Sequence, residues 1–247
     1  MKVAFFGATK GMGRSLARLM AERGDALFLL GRNDDDLALS ARDLEARSGS
    51  KKGAVGVARC DLADPASFAP ALEAAREALG GLDTVVVTAG IFATQDALEA
   101  DTDAAIELMN LDFSHTVAFC EHARRLLLAG GGGVLCVFSS VAGERGRKPT
   151  AIYGAAKAGL SRYLEALDHR YRAAGLVTIA VKPGFVHTGM TAGLKPPPFA
   201  GQPDAVARRV LGAIDRRRPE VYAPAMWRWI MLVIRFLPRA VMRRVGF

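Results

Sequence analysis

Residues Val3-Ala4-Phe5-Phe6-Gly7-Ala8-Thr9-Lys10-Gly11-Met12-Gly13-Arg14-Ser15-Leu16 decide the fold. Four apolar residues form a strand-length run, and glycines at 7, 11 and 13 follow just where a helical pattern begins. An unbroken apolar run suits a strand buried on both faces, as in a parallel sheet. The glycines let the backbone turn sharply and come close to a ligand. The helix N-terminus beyond them is a ready site for a pyrophosphate. A glycine triplet is weak by itself; after a first strand, before a helix and inside a βαβ unit, it is informative. Thr9, Lys10 and Met12 complete the turn and join Gly7, Gly11 and Gly13 as expected dinucleotide contacts.

Outward from this turn, strand and helix patterns alternate. Strand-length apolar runs are predicted at Val3–Phe6, Ala26–Leu30, Ala54–Ala58, Thr84–Val87, Val134–Phe138, Val177–Val181 and Glu220–Tyr222. Helical stretches are predicted at Gly13–Arg23, Asp34–Arg47, Pro65–Leu79, Thr102–Asn110, Ser114–Leu128, Ala151–Ala173 and Asp204–Arg216. Such alternation predicts a doubly wound, Rossmann-like α/β fold: a seven-stranded parallel sheet with helices on both faces. Residues 1–223 are expected to form this domain, and residues 224–247 a basic amphipathic extension.

The second strand ends Leu30-Gly31-Arg32-Asn33, with no acid at its tip. An acid there would bind the ribose 2′-hydroxyl of NAD. Arg32 can instead clamp a 2′-phosphate, with Asn33 beside it and Lys10 adding a second positive charge. NADP(H) is therefore the expected cofactor. Asp34, the competing candidate, opens a run of three aspartates that suits a helix N-terminus.

Composition narrows the rest. Half the chain is hydrophobic, 51%, which supports a large buried core. Cys60, Cys120 and Cys136 are widely spaced and odd in number, so neither a disulfide framework nor a metal site is expected. The four histidines are scattered, and no metal is predicted. Reduced thiols and the lack of a visible signal peptide fit a cytoplasmic protein. The net charge of +8 is carried by the segment from Arg208 to Phe247, which holds ten arginines and two acids.

The catalytic pattern lies at Ser139-Ser140-Val141-Ala142-Gly143 and Tyr153-Gly154-Ala155-Ala156-Lys157. Tyr153 and Lys157 are four apart and share a helix face. A tyrosine has an ordinary pKa near 10, so it is a poor base at neutral pH; a neighbouring ammonium can lower that value. With the glycine turn, Cys60-Asp61-Leu62, Ala89-Gly90, Asn110 and Pro183-Gly184 with Thr188, all in order, the chain resembles the short-chain dehydrogenase/reductase family over essentially its whole length. The resemblance implies Ser140 as hydrogen-bond donor to a substrate carbonyl, and Tyr153 as proton donor. It implies Lys157 on the phenol and the nicotinamide ribose, and Asn110 supporting a water that links Lys157 to solvent. It places Asp61 and Leu62 with Ala89 and Gly90 on the adenosine side. Pro183, Gly184, Val186 and Thr188 would frame the nicotinamide, and a homo-oligomer is implied. Two positions depart from the family pattern: Phe6 stands where threonine is usual, and Val87-Thr88 where two asparagines are usual. The second departure puts a strand-bracing hydrogen-bond network in doubt.

The tail is unusual. Trp229–Ile234 is an apolar run far shorter than the roughly 20 residues a bilayer span requires. Arg228, Arg235, Arg239 and Arg243 are spaced to share a helical face, with Pro238 expected to kink it. Such a segment can lie on an anionic membrane surface, or it can pack over the substrate pocket or a subunit interface. Arginines without a binding fold do not point to nucleic acid. Ala142-Gly143-Glu144-Arg145, Thr191-Ala192-Gly193-Leu194-Lys195, and Ala223-Pro224 through Arg239 are similar to the bacterial decaprenylphosphoryl-2-keto-ribose reductases. That resemblance implies an NADPH-dependent reductase of a lipid-linked or long-chain ketone. Reduction of 3-oxoacyl chains or other soluble ketones, and a catalytically silent dinucleotide sensor, are the alternatives. The Met190–Pro203 loop is the expected substrate lid.

Overall fold

The computed structural model describes residues 1–49, 55–197 and 199–245. Ala54 of the third predicted strand, Pro198 of the predicted lid and residues 246–247 of the tail lie outside the described residues. Seven parallel strands form one sheet: β1 (Lys2–Phe6), β2 (Ala26–Gly31), β3 (Gly56–Arg59), β4 (Thr84–Val87), β5 (Gly133–Phe138), β6 (Leu176–Pro183) and β7 (Glu220–Ala223). Their order is β3-β2-β1-β4-β5-β6-β7, which is the doubly wound sheet expected from the alternation.

The order reverses direction between β1 and β4, where Phe6 pairs with Val87 at the C-terminal ends. A crevice opens there because the crossover helices leave in opposite directions, and ligands bind at such a point. The loops after β1, β4, β5 and β6 all emerge along this edge.

Side-chain alternation along the strands builds a core on each face. Val3 and Phe5 of β1 point into one, with Leu16 and Met20 of helix α1 (Gly11–Arg23) and Val206 and Val210 of α8 (Pro203–Asp215). Ala4 and Phe6 point into the other, with Phe68 and Leu72 of α3 (Phe68–Leu79) and Phe119 of α6 (Thr116–Ala129). Leu160 and Leu164 of α7 (Ala151–Tyr171) complete this second core. Phe6, one of the two departures, is buried and its ring lies 4.8 Å from that of Phe119. All three cysteines are buried, and burial pushes the Cys60 thiol up to about 12, so it is inert at neutral pH.

Local chemistry sets the helix boundaries. Asn33 caps α2 (Asp34–Ser48) by accepting the Asp36 amide at 2.8 Å, and Asp34, Asp35 and Asp36 occupy the first turn beside the helix dipole's positive end. The predicted Pro65–Leu79 helix divides into a 3-10 turn over Pro65–Ser67, capped by Asp64, followed by α3. A short α4 (Gln95–Ala100), capped by Thr94, was not expected. Between α5 (Thr102–Met109) and α6 the chain makes a π turn over Asn110–His115, and the Thr116 hydroxyl donates to the Leu111 carbonyl at 2.7 Å.

The tail forms two helices, α9 (Trp227–Phe236) and α10 (Arg239–Arg244). Leu237 is extended and Pro238 starts the second helix, so the proline breaks the segment where a kink was expected. The single arginine face therefore does not form. Met231 and Ile234 are buried against Val141 and Tyr222. Arg235 reaches Glu144 at 3.2 Å, and Arg145 donates to the Leu237 carbonyl at 2.8 Å. Among the described residues no helix is long and apolar enough to cross a membrane.

Candidate active site

The glycine turn leaves β1 and enters α1 with its backbone packed against the loop after β4. A Cβ on Gly13 would lie 2.2 Å from the Gly7 carbonyl, and one on Gly7 would lie 2.6 Å from the Ala89 amide. Only glycine permits this approach, and Gly7 and Gly11 both take positive φ, +96° and +53°. Thr88 answers the second departure: its hydroxyl donates to the Gly7 carbonyl at 2.8 Å and lies 3.3 Å from the Phe6 carbonyl. A threonine thus braces β4 against the turn in place of the absent asparagine. Thr9 fixes the turn through its carbonyl, which accepts the Arg14 Nε at 2.7 Å, while Met12 packs on the first core. This tight cradle at the positive end of a helix fits a dinucleotide pyrophosphate.

At the tip of β2, Arg32 is exposed, and the exposed Asn33 side chain serves as the α2 cap. Lys10 pairs with Asp36 at 2.9 Å, an exposed contact of the kind a phosphate can displace. A further cation, not anticipated from the sequence, is Arg59. It pairs in register with Gly31 and donates to the Arg32 carbonyl at 3.2 Å, so its guanidinium sits against the Arg32 backbone at the strand tips. Its signal was present: Arg59 ends the strand next to the one that ends in Arg32. Asp61 accepts the Ala63 amide at 3.0 Å. Leu62 is buried in the second core, and its carbonyl meets His115 Nδ1 at 2.6 Å.

Ser140 follows β5 and accepts the Ala142 amide at 3.1 Å. Its neighbour Ser139 is buried and donates to the Lys157 carbonyl at 2.9 Å, joining the end of β5 to α7. Lys157 is buried, with Nζ 5.6 Å from the centre of the Tyr153 ring, and Phe92 meets that ring edge-on at 5.1 Å. The turn after Ser140 packs on α7 next to Tyr153: a Cβ on Gly154 would lie 2.9 Å from the Ala142 carbonyl. Burial raises the Tyr153 pKa above the ordinary tyrosine value; Lys157 and Ser140 oppose this, and Asp112 adds to it. Burial works against the Lys157 charge, but Asp112 and Tyr153 outweigh it and hold the ammonium above its ordinary value.

The expectation for Asn110 is corrected. Asn110 is exposed on the π turn, whereas Asp112 is fully buried with Oδ2 3.1 Å from Lys157 Nζ. The reason is helical phase. Leu108 and Asp112 are four apart and face α7, while Asn110, two past Leu108, points away. A buried carboxylate on the stripe Leu108, Leu111, Asp112 was the legible signal.

After β6, the Gly184 amide donates to the Ala223 carbonyl at 3.0 Å, and the Trp227 indole covers the glycine so closely that a Cβ would lie 1.9 Å from Nε1. Pro183 ends β6, Val186 is buried, and Thr188 caps a 3-10 turn over Gly189–Thr191. Thr188 also lies over the glycine turn, its Cγ2 3.4 Å from where a Gly11 Cβ would be. A cavity of about 300 Å³ bounded by Glu144, Ser161, Lys182 and Arg235 is lined by none of Ser140, Tyr153 or Lys157, so it is not where these residues converge. Among the described residues no group of three or more histidines, cysteines or acids could hold a metal ion.

A glycine cradle at the switch point fits a dinucleotide, and Ser140, Tyr153 and Lys157 follow strands at the same edge of the sheet, an arrangement suited to redox chemistry on an alcohol or a carbonyl. The chain belongs to the short-chain dehydrogenase family, whose model matches residues 2–198. It is 33% identical to an uncharacterized oxidoreductase of Mycobacterium tuberculosis over 98% of this chain and 96% of the relative. It is likewise 33% identical to the cis-4-hydroxycyclohexanecarboxylate dehydrogenase of Sinomonas cyclohexanicum, covering 89% and 85% of the two chains. Carbonyl reductase family member 4 of Xenopus tropicalis is 28% identical, with 86% and 90% covered. The fold matches the structure of a short-chain dehydrogenase/reductase from Mycobacterium ulcerans with a TM-score of 0.80, at 22% identity and 91% and 89% coverage.

Proposed function

We propose that this chain is an NADPH-dependent carbonyl reductase with Tyr153 as proton donor, acting on a lipid-linked or long-chain ketone. The observation that supports the chemistry is Lys157 Nζ 5.6 Å from the centre of the Tyr153 ring, with the turn after Ser140 packed against Gly154 on the same helix. When bound, the reduced dinucleotide supplies the hydride that the carbonyl carbon accepts. Gly7, Gly11 and Gly13 would hold its pyrophosphate, Asp61 and Ala89 its adenosine side, and Gly184 and Thr188 its nicotinamide side. Arg32 and Arg59 would take the 2′-phosphate, which is the basis for preferring NADP.

The Ser140 hydroxyl would orient the substrate carbonyl by donating to its oxygen. Tyr153 passes its proton to that oxygen as the carbon is reduced, which leaves an alcohol and a phenolate. The Lys157 ammonium stabilises that phenolate until a proton from solvent restores the phenol.

The lipidic substrate class rests on the tail. While Met231 and Ile234 of α9 face the protein, Trp229, Val233 and Phe236 are 67%, 64% and 78% exposed. Exposed Arg228, Arg239, Arg243 and Arg244 accompany them. An apolar stripe with a cationic surround is suited to an anionic membrane surface, where a lipid-linked ketone would be met. A soluble ketone is the second reading, favoured by the names of the relatives, which act on small molecules or carbonyls.

The test is NADPH oxidation against a panel of lipidic and soluble ketones, with the Tyr153→Phe variant in parallel. Loss of general acid catalysis should lower turnover by about 10²- to 10⁴-fold. Turnover unchanged by the substitution would overturn the mechanism.

A further inference from the structure

Asp112 sets a buried carboxylate in direct contact with Lys157, the partner of Tyr153. Its carboxylate is completely buried. Oδ1 accepts the Ile91 amide at 2.8 Å, and Oδ2 lies 3.1 Å from Lys157 Nζ. Oδ2 makes no aligned hydrogen bond among the described residues, so the ammonium charge is what compensates it. The approach is close on both sides: a Cβ on Gly90 would lie 2.9 Å from Oδ1. The carboxylate is therefore clamped between the loop after β4 and helix α7, and Lys157 is held between Asp112 and Tyr153.

The electrostatic consequence follows from charge count. An unpaired buried ammonium next to a phenol strongly favours the phenolate. An ammonium already paired at 3.1 Å with a carboxylate presents close to zero net charge, and much of that pull on the phenol is cancelled. We propose that Asp112 is a positioning residue that fixes Lys157 and keeps Tyr153 a protonated phenol through neutral pH, so the site is set to donate a proton to a ketone in preference to accepting one from an alcohol. This rests on the reading of Tyr153 as the proton donor.

The groups acting on Tyr153 are consistent with that assignment. Burial, first, and the Asp112 charge both disfavour the phenolate, against Lys157 and Ser140, and the balance lies above the ordinary tyrosine value. Phe92, edge-on to the ring, carries no charge, and the cluster Tyr153 packs against, Leu98, Leu108 and Ala156, is apolar. The sign for activity is direct. Reduction needs the phenol, so it persists as pH rises until the raised pKa is reached. Oxidation needs the phenolate, so it is held back until that same pH.

The experiment is a phenolate titration by ultraviolet absorbance of the full-length protein. Each protein is read against its own Tyr153→Phe counterpart, which isolates this tyrosine from the other three. In the wild type the Tyr153 phenolate should appear only above about pH 10, the ordinary tyrosine value. Asp112→Asn keeps the shape and an acceptor for the Ile91 amide but removes the charge. In that variant the phenolate should appear at least about one pH unit lower, a tenfold change in proton affinity. Its rate of ketone reduction should begin to fall at correspondingly lower pH, while alcohol oxidation gains at neutral pH. Identical titrations in the two proteins would overturn the proposal, as would a wild-type phenolate forming near neutral pH. Asp112→Ser serves if the asparagine variant does not fold, and a wild-type phenolate near neutral pH overturns the proposal without either variant. Because the titration needs no substrate, it fails or succeeds separately from the turnover test of Tyr153→Phe.

Discussion

Gly13 has a neighbour 2.2 Å from where its Cβ would stand, and that neighbour is backbone, the Gly7 carbonyl. A methyl group there cannot be absorbed by rotating a side chain; the turn itself must open. Gly13→Ala should therefore abolish dinucleotide binding in fluorescence titration while leaving the strand order, read by circular dichroism, largely intact. Retained affinity would mean that the turn does not hold the pyrophosphate. The cation corner behaves differently, because Arg32 is exposed and Arg59 anchors to a carbonyl. Replacing either with alanine should weaken NADPH binding by roughly tenfold or more with NADH nearly unaffected, since a charge-assisted contact to phosphate contributes about 1.5–3 kcal/mol. Equal losses for both dinucleotides would remove the 2′-phosphate assignment. Arg32 could be read from its place at a strand tip, whereas Arg59 required knowing that β3 lies beside β2.

At the scale of elements, α9 has two faces with separate duties. Met231 is fully buried against Tyr222 and Val141, so Met231→Ala should cost about 2–5 kcal/mol, measured by denaturant unfolding. Trp229 and Phe236 lie on the opposite face and touch mainly solvent, so Trp229→Ser with Phe236→Ser should leave the unfolding midpoint unchanged. The tail also reaches the reaction edge, because the Trp227 indole seals Gly184. Gly184→Ala must displace that indole, and it should raise the KM for both dinucleotide and ketone; kinetics indistinguishable from wild type would show the contact to be dispensable. The sequence made the amphipathic character of this segment plain through its arginine and tryptophan spacing. It did not show that Leu237-Pro238 would end the helix, nor which apolar residues would be buried, since both depend on what lies beneath. The same holds for the glycine-rich turn in reverse: there the local pattern and the tertiary role coincide, and every glycine was legible.

For the whole molecule, the basic excess lies at one end of the chain, carried by the ten arginines from Arg208 onward. Binding to anionic vesicles should therefore be seen in sedimentation and should weaken as salt is raised, since exposed charges are screened beyond about 10 Å at 0.1 M salt. The Trp229→Ser, Phe236→Ser pair should lose vesicle binding without losing stability. Equal sedimentation of the pair and the wild type would reject the membrane surface as the occupant of this face. This design is sharper than removing residues 224–247, which would also expose Val141 and Tyr222 and uncover Gly184.

What the sequence alone determined is whatever depends on neighbours along the chain. Strand-length apolar runs, the glycine turn and the four-residue spacing of Tyr153 and Lys157 are local, because helix and strand periodicity decide which side chains share a face. Those features sufficed for a seven-stranded doubly wound sheet and for the family. Tertiary structure decided what depends on packing between distant segments. It turned Asn110 to solvent and Asp112 toward Lys157, brought Arg59 beside Arg32, let Thr88 brace the turn, and laid Trp227 over Gly184. The physical reason is that a buried charge or a sealed glycine is defined by contacts across tens of residues, and no local period encodes which partner will arrive.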